Sequence, residues 1–193
     1  MLEIRKGNPW IFWPSSICDS LPENPADKLL NGKHSYKIEL SFTLLDTSSD
    51  KKTLFCILPK YSGIDIEKEK LLLLVGKKDK TEFYNLDYEI YPHKKTHILY
   101  EYIYSEKLCI TVNDKLIKEI NLTEPLGFDE NPHIIFGSGN FPKNGFNLNY
   151  TDVNFHEFKF YSNGELLSNH DFEEFIFDKS VDKTTNCNFI HKL

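Results

Sequence analysis

The chain has 193 residues, a formal net charge of −6 at pH 7, and 15 Phe and 10 Tyr against a single Met. An all-β chain of this length commonly has one core, so we expect one domain rather than two. The acidic charge is spread along the chain without a basic stripe, which argues against a nucleic-acid partner. The longest apolar run, Leu71 to Val75, is too short to span a bilayer, and the first residues lack the apolar segment of an export signal. We therefore expect no membrane span and a cytoplasmic location.

The first 35 residues are rich in proline and have no regular hydrophobic period. This pattern predicts that residues 1–35 form an arm or an edge strand packed on the domain. Trp10 and Trp13 are expected to cover a sheet edge, with a platform for a sugar as the alternative. From residue 36 apolar and polar side chains alternate strictly, which predicts a strand with one face in the core. The apolar side chains of this strand are Tyr36, Ile38, Leu40, Phe42 and Leu44.

The middle of the chain continues with short apolar runs that are typical of strands. Residues 54–58 and 71–75 are apolar on both faces, which predicts strands inside a sheet that is covered on both sides. Residues 81–91 and 96–104 are separated by a connection of hairpin length, so we expect them to pair with each other. One face of the second strand carries three tyrosines that we expect to pack half-buried against the core: Tyr100, Tyr102 and Tyr104.

Two later segments carry more specific strand signals. Residues 108–120 form a predicted hairpin, because the turn residues at 113–114 are Asn and Asp, which tolerate the left-handed backbone of a tight turn. Residues 153–161 form a predicted strand whose alternation changes phase between Phe155 and Phe158. That change predicts a β-bulge.

The C-terminal part carries the one helical signal in the sequence. Ser168 with Asp171 three residues later resembles a capping box, and the next apolar residues have helical spacing: Phe172, Phe175 and Ile176. We therefore expect one short C-terminal helix at residues 168–177. Residues 178–193 are polar and without a period, and we expect a tail or a linker there.

The order of these elements resembles the concanavalin A-like lectin/glucanase superfamily, and within it the laminin-G-like domains. The features that carry the resemblance are the opening strand Tyr36–Leu44, the hairpin turn Val112-Asn113-Asp114-Lys115, the strand end Ile134-Ile135-Phe136-Gly137 and the closing strand Val153–Tyr161. Asp114 stands where the family commonly has Gly. The resemblance covers residues 35–177 and implies an all-β, two-sheet antiparallel β-sandwich of the jelly-roll type, with the sandwich domain at residues 36–177.

The sequence offers little for catalysis. Hydrolytic members of the superfamily have alternating carboxylates on one strand, because a nucleophile and an acid must flank one glycosidic bond. Asp65, Glu67 and Glu69 lie among lysines, as is typical of a solvated turn. Asp87 and Glu89 would share a strand face but have no third carboxylate. We therefore expect no enzymatic activity.

Binding chemistry is better represented than catalysis. The loop at residues 138–147 combines glycine with asparagines and phenylalanines, which supply hydrogen-bonding groups and an apolar plate for a sugar. The predicted ligand-binding residues are Tyr61, Asp65, Asn140, Phe141 and Asn144. The favoured function is a non-catalytic, lectin-like carbohydrate-binding domain with a glycan partner, an accessory module of a larger glycan-handling protein. The alternatives are a structural or protein-interaction sandwich and, less favoured, a glycoside hydrolase or lyase with an unrecognised site.

No cofactor is indicated, although calcium is common in similar domains. Calcium needs several oxygen ligands, and the candidates are Asp46, Asp50 and Asp152, which no loop signature selects. The four cysteines have no metal-binding spacing, and we expect no disulfide among them. Cys56 and Cys109 lie within apolar runs and are expected to be small core residues.

Overall fold

The structure of the chain is a computed structural model that describes residues 2–4, 10–12, 34–45, 52–58, 62–77, 79–126, 133–137, 152–176, 179–182 and 190–191. Every regular element in these ranges is a β-strand, and none of them contains a helix long and apolar enough to cross a membrane. The strands are β1 (Leu2–Ile4), β2 (Trp10–Phe12), β3 (Tyr36–Leu44), β4 (Lys52–Leu58), β5 (Ser62–Glu67), β6 (Lys70–Gly76), β7 (Thr81–Glu89), β8 (Lys95–Ile103), β9 (Lys107–Val112), β10 (Lys115–Asn121), β11 (His133–Phe136), β12 (Val153–Ser162), β13 (Glu165–Ile176), β14 (Lys179–Asp182) and β15 (Ile190–His191).

The strands form two antiparallel sheets. The eight-stranded sheet has the order β10-β9-β8-β3-β12-β13-β14, and β1 also pairs with β12. The seven-stranded sheet has the order β15-β2-β11-β4-β5-β6-β7. The chain changes sheet after β1, β2, β3, β7, β10, β11 and β14, so each sheet is assembled from distant segments. The predicted all-β, two-sheet antiparallel sandwich is confirmed.

Large aromatic side chains fill the space between the two sheets. Phe136 of the seven-stranded sheet meets Phe155 and Phe158 of the other sheet edge-to-face, with ring centroids 5.4 and 5.2 Å apart. Phe55 meets Tyr100 in the same way at 5.6 Å. Edge-to-face contact places the positive edge of one ring on the negative face of the next, which stabilises the packing beyond the apolar area it buries. The inner faces of both sheets are therefore committed to the core.

The face of β3 that is buried is the one that the strict alternation predicted. Its five predicted core side chains are at most 2% exposed: Tyr36, Ile38, Leu40, Phe42 and Leu44. On the next strand of the same sheet Tyr100 and Tyr102 are buried, whereas Tyr104 lies in the turn after β8 and is exposed. The core prediction is confirmed for the first two tyrosines and wrong for the third.

Two of the local predictions are confirmed in detail. The β9–β10 hairpin turns at Asn113 and Asp114, whose φ angles are 47° and 64°, and this left-handed backbone matches the twist of the flanking strands. In β12 the pairing with β3 shifts between Phe155 and Glu157, which is the bulge that the change of phase predicted.

The short C-terminal helix is wrong, because the structure has β13 there. Ser168, His170 and Phe172 are buried and alternate with half-buried residues, and β13 pairs with β12 on one side and β14 on the other. The helical spacing after Ser168 is short, and strand pairing overrides a local signal of this length.

The expected pairing of residues 81–91 with 96–104 is also wrong. The first segment forms β7, which pairs with β6, and the second forms β8, which pairs with β3 and β9 in the other sheet. The connection of hairpin length is therefore a crossover between the sheets. A short connection makes a hairpin between sequential strands more common, but two strands can pair only if they belong to the same sheet.

The two terminal segments also contribute strands. Within residues 1–35, β1 pairs with β12, and β2 lies between β11 and β15. Trp10 is in β2, whereas Trp13 lies outside the described residues. Within residues 178–193, for which a tail or linker was expected, β14 pairs with β13 and β15 pairs with β2.

Truncation of a core side chain should report directly on the β3 register. We expect Phe42→Ala to lower the free energy of unfolding by about 3–5 kcal/mol, because Phe42 is fully buried and the change leaves a cavity. Leu116→Ala is the control, since Leu116 is 56% exposed on β10 and should change stability by less than about 0.5 kcal/mol. Urea denaturation followed by fluorescence measures both, and equal midpoints for the two variants would contradict the register.

A second stability prediction concerns Gly63, which lies where β5 passes close to β4. A Cβ atom on Gly63 would collide with the backbone oxygen of Phe55 and come within 2.9 Å of the Cα of Cys56. We expect Gly63→Ala to cost about 3 kcal/mol, because backbone atoms cannot yield as a flexible side chain can. Gly164→Ala has open space around it and only a φ of 83° to contend with, so it should cost less, about 1–2 kcal/mol. Denaturation midpoints in the reverse order would disprove this explanation.

Candidate functional site

The outer face of the seven-stranded sheet carries an open depression at its β7 edge. The depression has a volume of about 350 Å³, and the residues that line it are Glu67, Lys68, Lys70, Leu71, Leu72 and Asn85. We call it the β5–β7 depression. It faces away from the other sheet, so a ligand could reach it from solvent without disturbing the core.

Strand alternation brings the side chains of Glu67, Leu72 and Asn85 to this face, whereas the lining residue Leu71 belongs to the core beneath it. In β5 and β6 the buried residues Ile66, Leu71 and Leu73 belong to the core, so the residues between them point outward. A two-residue turn joins the strands, and its residues Lys68 and Glu69 have φ angles of 49° and 65°. Such a turn fixes the register of the strands it joins. The depression is therefore built on strands and a tight turn.

A bulge in β7 places Asn85 in the depression and Glu89 next to it. Asn85 pairs with Leu72 and Glu89 pairs with Lys70, so four steps along β7 match two steps along β6. The extra residues are accommodated at Asp87, whose φ is 50° and whose backbone N–H donates to Asn85 Oδ1 at 2.9 Å. This bond orients the Asn85 amide and leaves its two N–H donors for other partners.

The charged groups of the depression keep their hydrogen-bonding capacity. Glu67, Lys70 and Glu89 are register partners across three strands, with Lys68 in the adjoining turn. Among the described residues none of these four forms an ion pair. With Glu69 of the same turn and Asp87 of β7, this surface carries four carboxylates as acceptors and two ammonium groups as donors, a formal charge of −2.

Exposed aromatic rings lie at both ends of this polar row. Phe83 is 57% exposed and is two residues from Asn85 on the outer face of β7. Tyr91 is 55% exposed, and its hydroxyl donates to Glu89 Oε2 at 3.2 Å, which raises the pKa of Tyr91. Flat rings pack against apolar C–H surfaces, so this face combines apolar plates with hydrogen-bonding groups.

Two polar clusters hold β7 in place. At the β6–β7 turn Glu82 accepts from Lys77 and Lys80 at 2.8 and 2.7 Å and from the Tyr84 hydroxyl at 2.7 Å. These hydrogen bonds lower the pKa of Glu82 to about 2. Further along β7, the Tyr88 hydroxyl accepts from Asn113 Nδ2 at 2.9 Å.

The second of these clusters joins the two sheets. Asn113 belongs to the β9–β10 turn of the eight-stranded sheet, and its Oδ1 also accepts from the backbone N–H of His97 at 2.9 Å. Tyr88 belongs to β7 of the seven-stranded sheet. One turn side chain thus ties the edge strand of the site to the opposite sheet.

The residues predicted to bind a ligand are placed only in part. Asp65 lies on the outer side of β5, in register with Thr53 and Leu72, and is only 2% exposed, so it does not line the depression. The others lie outside the described residues: Tyr61, Asn140, Phe141 and Asn144.

The candidate calcium ligands are divided in the same way. Asp152 is half-buried before β12, and Asp46 and Asp50 lie outside the described residues. Within the part of the chain that the structure describes, no three His, Cys, Asp or Glu side chains converge on a point where a metal ion could bind. The two described cysteines are buried and are not in disulfide bonds; Cys56 lies in one sheet and Cys109 in the other.

Sequence reasoning passed over the side chains that form the depression. The sequence singles out Asp87 and Glu89 as a possible catalytic pair and places Glu67 in a solvated turn. It does not indicate that these two segments lie next to each other. Lys70, Phe83 and Asn85 carried no signal of their own. The β5-β6-β7 register brings these six positions together.

The fold is shared with several solved binding domains at low sequence identity. A putative carbohydrate-binding protein from Bacteroides ovatus matches 100% of this chain with a TM-score of 0.64 and 13% identity. The binding domain of botulinum neurotoxin DC in complex with rat synaptotagmin II matches 86% with a TM-score of 0.55 and 13% identity. Domains LG4-5 of the mouse laminin α1 chain match 85% with a TM-score of 0.56 and 9% identity. The chain therefore has a laminin-G-like jelly-roll fold.

These structures are longer than the region they share with this chain. The chain covers 59% of the Bacteroides ovatus protein, 48% of the neurotoxin binding domain and 42% of the laminin domains. No protein-family model matches the sequence, and the search of curated proteins finds no match either.

The Glu82 cluster makes the stability of the β6–β7 edge depend on pH. Its pKa is lowered in the folded state, so its ion pairs contribute stability above the ordinary value of 4.5 and lose it as the pH falls toward about 2. We expect Glu82→Gln to be less stable than wild type at pH 7, and the difference to shrink as the pH falls from about 4.5 to about 2. Denaturation midpoints across this range measure it. Glu165→Gln, at an exposed position, is the control, and a Glu82 difference that does not change with pH would contradict the ion-pair assignment.

Proposed function

We propose that this chain is a non-catalytic carbohydrate-binding domain whose ligand lies in the β5–β7 depression. The observation that carries the proposal is that an exposed ring, Phe83, lies on the same sheet face as the Asn85 amide N–H donors and the Lys70 ammonium group, which line the depression. Sugars present apolar C–H surfaces beside hydroxyl groups that both donate and accept hydrogen bonds. A surface with aromatic rings, hydrogen-bond acceptors and hydrogen-bond donors can contact both the C–H surfaces and the hydroxyl groups.

Strand-borne sites favour binding because they are rigid before the ligand arrives. The turn Lys68–Glu69 and the Asp87 bond to Asn85 restrict the backbone and one of the polar groups. A preorganised surface loses less conformational entropy on binding, which matters for a shallow site with few contacts. The shared fold with a putative carbohydrate-binding protein supports the same proposal.

The carboxylates at the depression support binding rather than hydrolysis. Asp87 has a left-handed backbone that interrupts the alternation of β7, and its N–H is engaged with Asn85. Glu89 is exposed and hydrogen-bonded to Tyr91. A glycosidase acid needs a raised pKa, which burial usually supplies, and an exposed carboxylate lacks that environment. Release of reducing sugar that is lost on Asp87→Asn or Glu89→Gln would overturn the non-catalytic part of the proposal.

A protein partner is the second candidate, and the exposed edge strand β10 is the observation that favours it. Leu116 on this strand is 56% exposed, and the strand has no second neighbour among the described residues. However, β10 also carries Lys115 and Lys118 and a register shift between residues 116 and 118. Lysines and bulges at an edge hinder the addition of a further strand, so we favour the glycan.

A glycan array, repeated with and without calcium, tests the proposed function. For the glycan it identifies, we expect Lys70→Ala and Asn85→Ala each to reduce affinity about tenfold, since each removes a hydrogen-bonding partner worth about 1.4 kcal/mol. Lys95→Ala is the matched control, because Lys95 is also an exposed strand lysine, at the start of β8 in the other sheet. Isothermal titration calorimetry measures all three affinities, and thermal unfolding confirms that each variant is folded.

The loop residues predicted from the sequence define the competing location. The triple variant Tyr61→Ala, Phe141→Ala and Asn144→Ala should retain the affinity if the ligand lies in the β5–β7 depression. Loss of binding in this triple variant, with Lys70→Ala unaffected, would move the site to the loops. An array without any bound glycan would contradict the proposed function as a whole.

A further inference from the structure

We infer that the β5–β7 depression takes a neutral, linear oligosaccharide that lies along β7 and contacts an aromatic ring at each end, an inference that rests on the proposed function. The alternative within the same function is a single terminal sugar held in the centre of the depression. The arrangement of side chains along β7, the distance they span and their charges each favour the longer ligand.

The side chains of the site follow one line. On the outer side of β7 the order is Phe83, Asn85, Glu89; Tyr91 follows two residues after the strand ends, and its hydroxyl bonds to Glu89. Polar groups thus occupy the middle of the line and exposed rings its two ends. A single sugar could use only one ring together with the polar centre. An extended ligand uses both.

The register of β6 gives the length of this line. Phe83 pairs with Leu74 and Glu89 pairs with Lys70, so the two positions lie four β6 residues apart. At about 3.3 Å per residue this separation is about 13 Å, and Tyr91 lies further out. One pyranose ring is too short to bridge it, so the two aromatic rings can be occupied together only by a chain of several sugars.

The charges indicate a neutral chain. Lys68 and Lys70 lie beside three carboxylates, those of Glu67, Glu69 and Glu89, which are in the same register row or its turn. A uronate or sulfate group placed near either lysine would also come close to a carboxylate, and like charges at that distance repel each other. Hydroxyl groups pair with ammonium groups and carboxylates alike.

Calorimetry with ligands of increasing length tests the inference. The probes are cello-, manno- and xylo-oligosaccharides of one to six residues, with oligogalacturonides of equal length as anionic counterparts. In the neutral series that binds, we expect the affinity to rise with length until both rings are covered and then to level off. The oligogalacturonides should bind more weakly at every length.

Ring-removing variants locate the two ends of the ligand. Phe83→Ala and Tyr91→Ala should each lower the affinity for the hexasaccharide about tenfold, the effect of losing about 1.4 kcal/mol of ring contact. A monosaccharide can contact only one ring, so at most one of the two variants should change its affinity. Tyr104→Ala is the matched control, because Tyr104 is an exposed tyrosine in the β8–β9 turn of the other sheet.

Three results would overturn the inference and leave the proposed function standing. These are equal affinities for the monosaccharide and the hexasaccharide, hexasaccharide affinities in Phe83→Ala and Tyr91→Ala that match Tyr104→Ala, and tighter binding of oligogalacturonides than of neutral chains. Absence of binding to every probe and to every glycan on the array would instead contradict the proposed function, and the inference with it.

Discussion

The edge-to-face packing of Phe136 against Phe155 and Phe158, with Phe55 against Tyr100, is the contact on which the rest of the molecule depends. It joins the two sheets and occupies their inner faces, so any function has to use an outer face, an edge or a loop. The β5–β7 depression is such an outer face. Its backbone is fixed by the core behind it, because the outward residues of β5 and β6 alternate with inward residues that pack in the core.

The sequence predicted those parts of the fold that depend on local period or on turn chemistry. The strict alternation of β3 identified its buried face, the Asn113-Asp114 pair identified a left-handed hairpin, and the change of phase after Phe155 identified a bulge. It failed where a nonlocal choice overrode a local signal. The capping-box pattern at Ser168 predicted a helix, but this segment pairs with β12 as a strand. The short connection at residues 91–95 crosses between the sheets and does not close a hairpin.

The candidate site was harder to predict than the fold, for a related reason. Its groups come from β5, the following turn, β6 and β7, and their proximity follows from cross-strand register rather than from spacing along the chain. The bulge at Asp87 is also invisible to alternation alone, since it changes which residues of β7 stand opposite Lys70 and Leu72. Composition drew attention to a loop rich in asparagine and phenylalanine, whereas the depression is assembled from residues that are individually ordinary for a strand surface.

Asn113 has two structural roles, one through its backbone and one through its side chain. Its left-handed backbone serves the β9–β10 hairpin, while its amide bonds the His97 backbone and the Tyr88 hydroxyl of the opposite sheet. Glycine at this position would adopt the left-handed backbone but could not form the two amide hydrogen bonds. The Asn113 side chain therefore couples the hairpin to β7, so the amide hydrogens of that edge strand should exchange with solvent more slowly than those of an edge strand without such a bond.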